Sequence, residues 1–155
     1  MADPETIEVR LTLNGRDVPL KIAPFELLID VLRDRLGLKG TKRSCDVEVC
    51  GACTVLADGL PISSCTTLAV DVDGKSVLTI EGVAASGHLS RVQQAFVDHA
   101  GMQCGYCTPG MVLATTALFD HNPAPSEPEI RHYLRGNICR CTGYIKILEA
   151  VKSLV

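Results

Sequence analysis

No run of five or more like charges occurs in this chain, and its net charge is only −3 at a pI near 5.8. That excludes a nucleic-acid tail or a basic membrane-surface patch, and no nucleic-acid partner is expected. No apolar run approaches the roughly 20 residues of a spanning helix. The opening "MADPETIEVRLTLNG" has no basic start, no apolar stretch and no twin arginine, so a cytoplasmic protein without a membrane span is expected. A C-x-x-C-H haem site, a glycine-rich dinucleotide loop, a P-loop, long repeats and low-complexity tracts are also missing, which leaves those chemistries without a motif.

What the chain does have is cysteine, eight of them in 155 residues. With 46% apolar content the chain can bury one respectable core or two small ones and needs no covalent staples. In a cytosolic setting such cysteines point to metal ligation or redox work rather than to structural bridges.

The first half reads as strand. Ile7, Val9, Leu11 and Leu13 alternate with polar residues, Asn14-Gly15 is a hairpin signal, and Val18, Leu20 and Ile22 resume the alternation. After Pro24, Leu28, Val31, Leu32 and Arg35 recur at helical spacing and Gly37 suits a C-terminal stop. A second hairpin is centred on Asp58-Gly59, and a turn at Asp73-Gly74 feeds a last strand over residues 76–80. This order predicts a small mixed sheet packed on one helix, an α+β arrangement.

From about residue 83 the strand signals stop. A small-residue linker, "GVAASGH", leads to a stripe of Leu89, Val92 and Phe96 that ends near Gly101. Thr108 reads as an N-cap with Pro109 at the first helical position of an almost wholly apolar helix, which should be buried. Ser126 and Glu129 form the capping box of a third helix that turns Ile130 and Leu134 inward and stops at Gly136, and Tyr144, Leu148, Val151 and Val155 mark a fourth. The division predicted is therefore residues 1–82 for the α+β part and 83–155 for an all-α four-helix part.

The cysteines divide in the same way. Cys45, Cys50, Cys53 and Cys65 read C-x4-C-x2-C-x11-C, and Cys104, Cys107, Cys139 and Cys141 read C-x2-C-x31-C-x-C. Four thiolates match the ligand count of an iron–sulfur cluster, and the first spacing opens as plant-type [2Fe–2S] ferredoxins do. Structural zinc favours two knuckles of comparable spacing, whereas here three cysteines share one loop. Gly51 and Ala52 let backbone N–H groups approach an anionic body, and "KGTKRS" adds three cations ahead of Cys45. In the second set, a redox C-x-x-C pair would call for a βαβ setting and leave Cys139 and Cys141 idle. Cys107 lies at a helix start, where the macrodipole favours negative charge. The spacing favours a [2Fe–2S] cluster in each half over zinc or disulfides.

Taken together, "CDVEVCGACTV", the downstream "SSC", "QCGYCTPGM" and "NICRCTGY" resemble the small iron–sulfur subunit of the molybdenum hydroxylase (xanthine oxidase) family over nearly the whole chain. The resemblance implies a ferredoxin-like β-grasp domain followed by a four-helix domain, each with one [2Fe–2S] cluster. It further implies a large molybdopterin subunit, often carrying the cytosine dinucleotide form, and a medium FAD subunit, in a heterotrimer that itself pairs into a dimer of heterotrimers. The chain would relay electrons between molybdopterin and FAD as part of an oxidoreductase, with no catalytic residue of its own. Cys104, Cys107, Cys139 and Cys141 would hold the cluster nearer molybdenum, and Cys45, Cys50, Cys53 and Cys65 the one nearer flavin. Gln103 matches the family glutamine that bonds the pterin, and Cys141 the ligand beside the pterin edge. The competing reading is a freestanding two-cluster carrier, which would ordinarily be shorter and more acidic.

The sequence departs from the family pattern in the first loop. Ser44, Asp46 and Glu48 stand where many relatives have glycine, so side chains occupy backbone positions that favour positive φ, and their carboxylates should tend to lower the cluster's potential. His88, His99, His121 and His132 read as surface or cap residues beside two complete thiol sets. Tyr106 reads as packing beside the second set, with an interface contact as the alternative, and Arg140 either as a cap for the third helix or as a charge that tunes the cluster.

Overall fold

The computed structural model describes residues 5–84 and 87–155; the first four residues of the opening stretch, and Ala85 and Ser86 of the expected linker, lie outside the described residues. Strand β1 (Ile7–Leu13) pairs antiparallel with β2 (Arg16–Ile22), in register from Ile7 opposite Ile22 to Leu13 opposite Arg16. Asn14 and Gly15 both take positive φ, 50° and 80°, which a two-residue type I′ connection requires. The same solution recurs at Asp58 and Gly59 between β3 (Thr54–Ala57) and β4 (Leu60–Ser63).

Strand β5 (Ser76–Leu78) joins the two hairpins, parallel to β1 and antiparallel to β3, so the five-stranded order is β2-β1-β5-β3-β4. The two edge strands each contain a proline, Pro19 and Pro61. The last strand is shorter than the alternation predicts. Its exit is diverted because the Asn14 side chain accepts from the Thr79 N–H (2.8 Å) and donates to the Thr79 hydroxyl (3.0 Å). Ile80 consequently opens a short helix, α2 (Ile80–Val83), instead of extending the sheet.

Helix α1 covers one face of the sheet. It starts as an α-helix over Leu28–Asp30 and widens to a π-helical turn over Val31–Arg35 before Gly37 at φ 70°. Leu28, Ile29, Val31 and Leu32 are all buried, one contiguous face of the helix. Leu28 and Leu32 pack on Leu11, Leu13, Val55 and Val77, Val31 packs on Val9 and Ile22, and Ile29 packs against Cys53 and Cys65.

The helical half contains α3 (Arg91–Asp98), α4 (Thr108–His121), α5 (Glu127–Leu134) and α6 (Ile145–Lys152). Ser126 and Glu129 make the expected capping box, and Ser90 with Gln93 makes a second one. The apolar helix α4 is central. Met111, Val112, Ala114 and Leu118 join Phe96, Ile130, Ile147 and Val151 in the helical core, while Leu113 and Ala117 pack on Leu56 of β3. Its N-cap is Cys107, one residue earlier than expected, so Thr108 and Pro109 are its first two residues. Proline is as well accommodated there, because the N–H groups of the first turn lack intrahelical partners. Val155 is exposed and Leu154 buried instead, since α6 ends at Lys152 and the chain turns. No helix among the described residues is long and apolar enough to cross a membrane.

Candidate metal centres

The first cysteine set lies in the loop between α1 and β3 and just beyond β4. The backbone N–H groups of Val49 and Cys50 each donate to the Cys45 sulfur at 3.4 Å. Asp46, Glu48 and Gly51 take φ of 57°, 58° and 67°. Asp46 and Glu48, left-handed at alternate positions, turn N–H groups of the loop toward the Cys45 sulfur in the manner of an anion-binding nest. Two of the three residues standing in place of glycine therefore do adopt the left-handed conformation, and Ser44 does not. Their side chains are tied outward. Asp46 accepts from Arg43 Nε at 3.0 Å, Glu48 accepts from the Thr66 hydroxyl at 3.3 Å, and Arg43 also pairs with Asp30. The Arg43 charge offsets part of the effect that the Asp46 carboxylate would have on a nearby redox centre.

The thiols stand two and two. Cys45 is grouped with Cys50, and Cys53 with Cys65. As a free thiol Cys45 is drawn down to about 6 by the Val47 backbone N–H and then by those of Cys50 and Val49. Cys53 is pushed up to about 11, first by burial and then by the neighbouring Cys65. Cys45 thus gives up its proton more readily than the buried Cys53.

The second set repeats the arrangement at the helix ends. The Cys104 and Cys141 sulfurs lie 3.6 Å apart and both residues are exposed. Cys107 faces Cys139 on the inward side, and burial pushes Cys107 up to about 12. At Cys139 burial also pushes upward, but the Thr142 hydroxyl, donating at 3.0 Å, and the backbone N–H groups of Cys141 and Thr142 together outweigh it and the net direction is down. Cys107 caps α4, so its sulfur sits at the positive end of a 14-residue helix. The loop is shaped by Tyr144, at φ 67°, whose hydroxyl accepts from the Cys139 N–H at 3.1 Å.

Among the described residues no three His, Cys, Asp or Glu side chains gather as they would around a single ion. Four sulfurs in two pairs, with N–H and hydroxyl donors on the sulfurs, fit a two-iron cluster, which takes two ligands at each iron. The donor set is all sulfur, as such a cluster requires.

The two loops are bonded to each other. The Tyr106 hydroxyl donates to the Arg43 carbonyl, Ile138 N–H donates to the Cys50 carbonyl at 2.8 Å, and Asn137 Nδ2 donates to the Gly51 carbonyl at 3.0 Å. Tyr106 thus bonds to the first loop instead of serving only as packing against the second. Asn137, Thr142 and Tyr144 lie in the "NICRCTGY" motif, but the sequence assigns them no contacts, because what they touch is set by tertiary approach. Gln103 is exposed beside Cys104, and Arg140 is exposed as well. Met102, Tyr106, Ile138, Tyr144 and Ile145 are exposed around the same cysteines. Of the histidines, His88, His121 and His132 are exposed and His99 is half-buried.

Comparison with known proteins agrees with this geometry. The family described as "2Fe-2S iron-sulfur cluster binding domain" matches residues 11–80, and that described as "[2Fe-2S] binding domain" matches residues 79–152. The chain is 46% identical to the nicotinate dehydrogenase small FeS subunit of Eubacterium barkeri, covering 96% of this chain and 95% of that one. It is likewise 46% identical to the xanthine dehydrogenase iron-sulfur-binding subunit of Escherichia coli O157:H7, covering 95% and 93%. Among solved structures, a chain of quinoline 2-oxidoreductase from Pseudomonas putida 86 superposes with a TM-score of 0.91 at 42% identity, covering 95% of this chain and 91% of that one. Aldehyde oxidoreductase from Desulfovibrio gigas superposes with a TM-score of 0.92 at 40% identity, over 96% of this chain but 17% of the longer one.

Proposed function

The chain belongs to the iron–sulfur subunits of the molybdenum hydroxylase family, and from that premise we propose that it is the electron-transfer subunit joining a large molybdopterin subunit to a medium FAD subunit. Bound, the two [2Fe–2S] clusters supply one-electron centres between those partners. The protein's own residues hold, orient and shield them. Cys45 and Cys50 form the outward pair of ligands and Cys53 and Cys65 the inward pair in residues 1–82. Cys104 and Cys141, with Cys107 and Cys139, do the same in residues 83–155. Gln103, exposed beside the outward pair, donates to the pterin, and Cys141 lies at the pterin edge.

The observation that carries this reading is the pairing of the thiols into two quartets whose loops are bonded to each other. The apolar surface around Cys104 and Cys141 supports a permanent partner there rather than a freestanding carrier. In the assembly proposed here the molybdopterin is in its cytosine dinucleotide form, the heterotrimer pairs into a dimer of heterotrimers, and the complex resides in the cytoplasm, where thiols stay reduced.

Native mass measurement with iron, molybdenum and flavin analysis, on protein purified from its own cells, tests the assignment. A complex containing all three is expected. A monomer with iron alone would leave only the carrier.

A further inference from the structure

One carbonyl gathers the bonds between the two thiol quartets. The Gly51 oxygen accepts from the Thr54 N–H at 3.1 Å, the Thr54 hydroxyl at 2.7 Å and Asn137 Nδ2 at 3.0 Å. The same Asn137 nitrogen also donates to the Thr54 hydroxyl oxygen at 3.2 Å. One residue further on, Ile138 N–H donates to the Cys50 carbonyl at 2.8 Å. Residues 137 and 138 therefore face residues 51 and 50 in order. Cys50 lies in the seam itself, and Cys139 is the next residue beyond it.

Asn137 is only 7% exposed, and its amide has little freedom. The Gly51 carbonyl only accepts, so the amide nitrogen must face it. Gly51 is at φ 67°, and a β-carbon there would meet the Asn137 amide nitrogen and the Gly136 oxygen at 2.5 Å. Gly110 closes the seam from the third side, since a β-carbon on it would lie 2.2 Å from the Gly51 oxygen. With the amide nitrogen bonded to partners 83 and 86 residues away, rotating the side chain would forfeit both bonds. It would also leave the buried amide nitrogen without either acceptor, which is costly.

We propose that Asn137 is a positioning residue for electron transfer: by donating its amide nitrogen across the seam to the Gly51 carbonyl and the Thr54 hydroxyl, it fixes the Cys50–Cys53 loop against the Cys139–Cys141 loop and so sets the separation and orientation of the two clusters. The inference rests on reading both quartets as cluster ligands. Asn137→Asp separates this role from packing. It is isosteric, but it places a carboxylate oxygen, an acceptor, against the Gly51 carbonyl. Thr54→Val is likewise isosteric and removes the hydroxyl that completes the triangle.

The test uses the reduced, assembled complex. Low-temperature EPR reads the magnetic splitting between the two reduced clusters, which depends on their distance and orientation, and rapid-freeze EPR reads how fast the second cluster is reduced after the first. In the wild-type complex two [2Fe–2S] signals are expected, and their absence would sink the functional reading itself. Given both signals, Asn137→Asp should change the splitting and slow equilibration between the clusters, and Thr54→Val should do so to a smaller extent. If Asn137→Asp kept both clusters with splitting and rate unchanged, the inference would be overturned. If that variant lost a cluster, Thr54→Val would decide: a changed splitting supports the inference and an unchanged one overturns it. Loss of a cluster in both variants would assign the seam to cluster retention and also overturn it.

Discussion

Gly110, in the first turn of α4, lies so close to Gly51 of the first cysteine loop that a β-carbon on it would stand 2.2 Å from the Gly51 carbonyl oxygen. The contact is between a helix and a loop that different thiol quartets use, and backbone on one side of it cannot yield as a flexible side chain would. Gly110→Ala is therefore expected to destabilise by about 3 kcal/mol, the upper end of overpacking costs. Gly59→Ala gives the contrast: there φ is 81° but no atom lies within 4 Å, so only conformational strain of about 1–2 kcal/mol applies. Denaturant midpoints of the two variants should rank in that order, and equal midpoints would contradict the tight seam.

Replacing single ligands should separate the quartets. Cys141→Ser is expected to abolish one [2Fe–2S] EPR signal and keep the other, and Cys65→Ser to do the converse. Each variant should keep roughly half of the iron. A variant that retained both signals unchanged would remove that cysteine from the ligand set.

Gln103 is exposed beside Cys104, so its truncation should spare both clusters. Gln103→Ala is expected to leave both EPR signals in place and to slow reduction of the clusters by substrate roughly twofold to tenfold, the cost of one hydrogen bond. Unchanged assembly together with an unchanged rate would end its assignment to the pterin.

Acid should loosen the helical half. The Glu127 carboxyl is held below its ordinary range by the Lys152 hydrogen bond and then by the one from Arg131, and Lys146 does the same for Glu149. A carboxylate whose folded value is depressed stabilises above its unfolded value, and that contribution is lost as pH falls through the folded value. Thermal melts from about pH 6 down to about pH 3 should therefore show a falling midpoint, with Glu127→Gln following a shallower curve. Parallel curves would show that the α5–α6 ion pair adds nothing.

What could be read from the sequence was what is local. Asn14-Gly15 and Asp58-Gly59 announced their hairpins because two adjacent residues at positive φ are a requirement of the turn itself. The Ser126–Glu129 box announced α5 for the same reason, and the division of the cysteines into two sets of four is written in their spacing. The parallel pairing of β5 with β1 was not legible, since it joins segments about sixty residues apart. The π-helical turn in α1 was hidden because the same apolar spacing serves an ordinary α-helix. Asn137 opens one of the motifs that carry the family resemblance, but its partners, 83 and 86 residues away, are not legible in local sequence. The left-handed Asp46 and Glu48 were flagged only by contrast with glycine at those positions.

The prolines in the two outer strands have a consequence for assembly. β2 and β4 are the open margins of the sheet, and Pro19 and Pro61 remove an outward N–H from each. A strand from another molecule would find the ladder interrupted on either side, so the sheet resists both growth into fibrils and extension by a neighbour. The loops and helix surfaces, where the cysteines lie, present no such interruption to a partner.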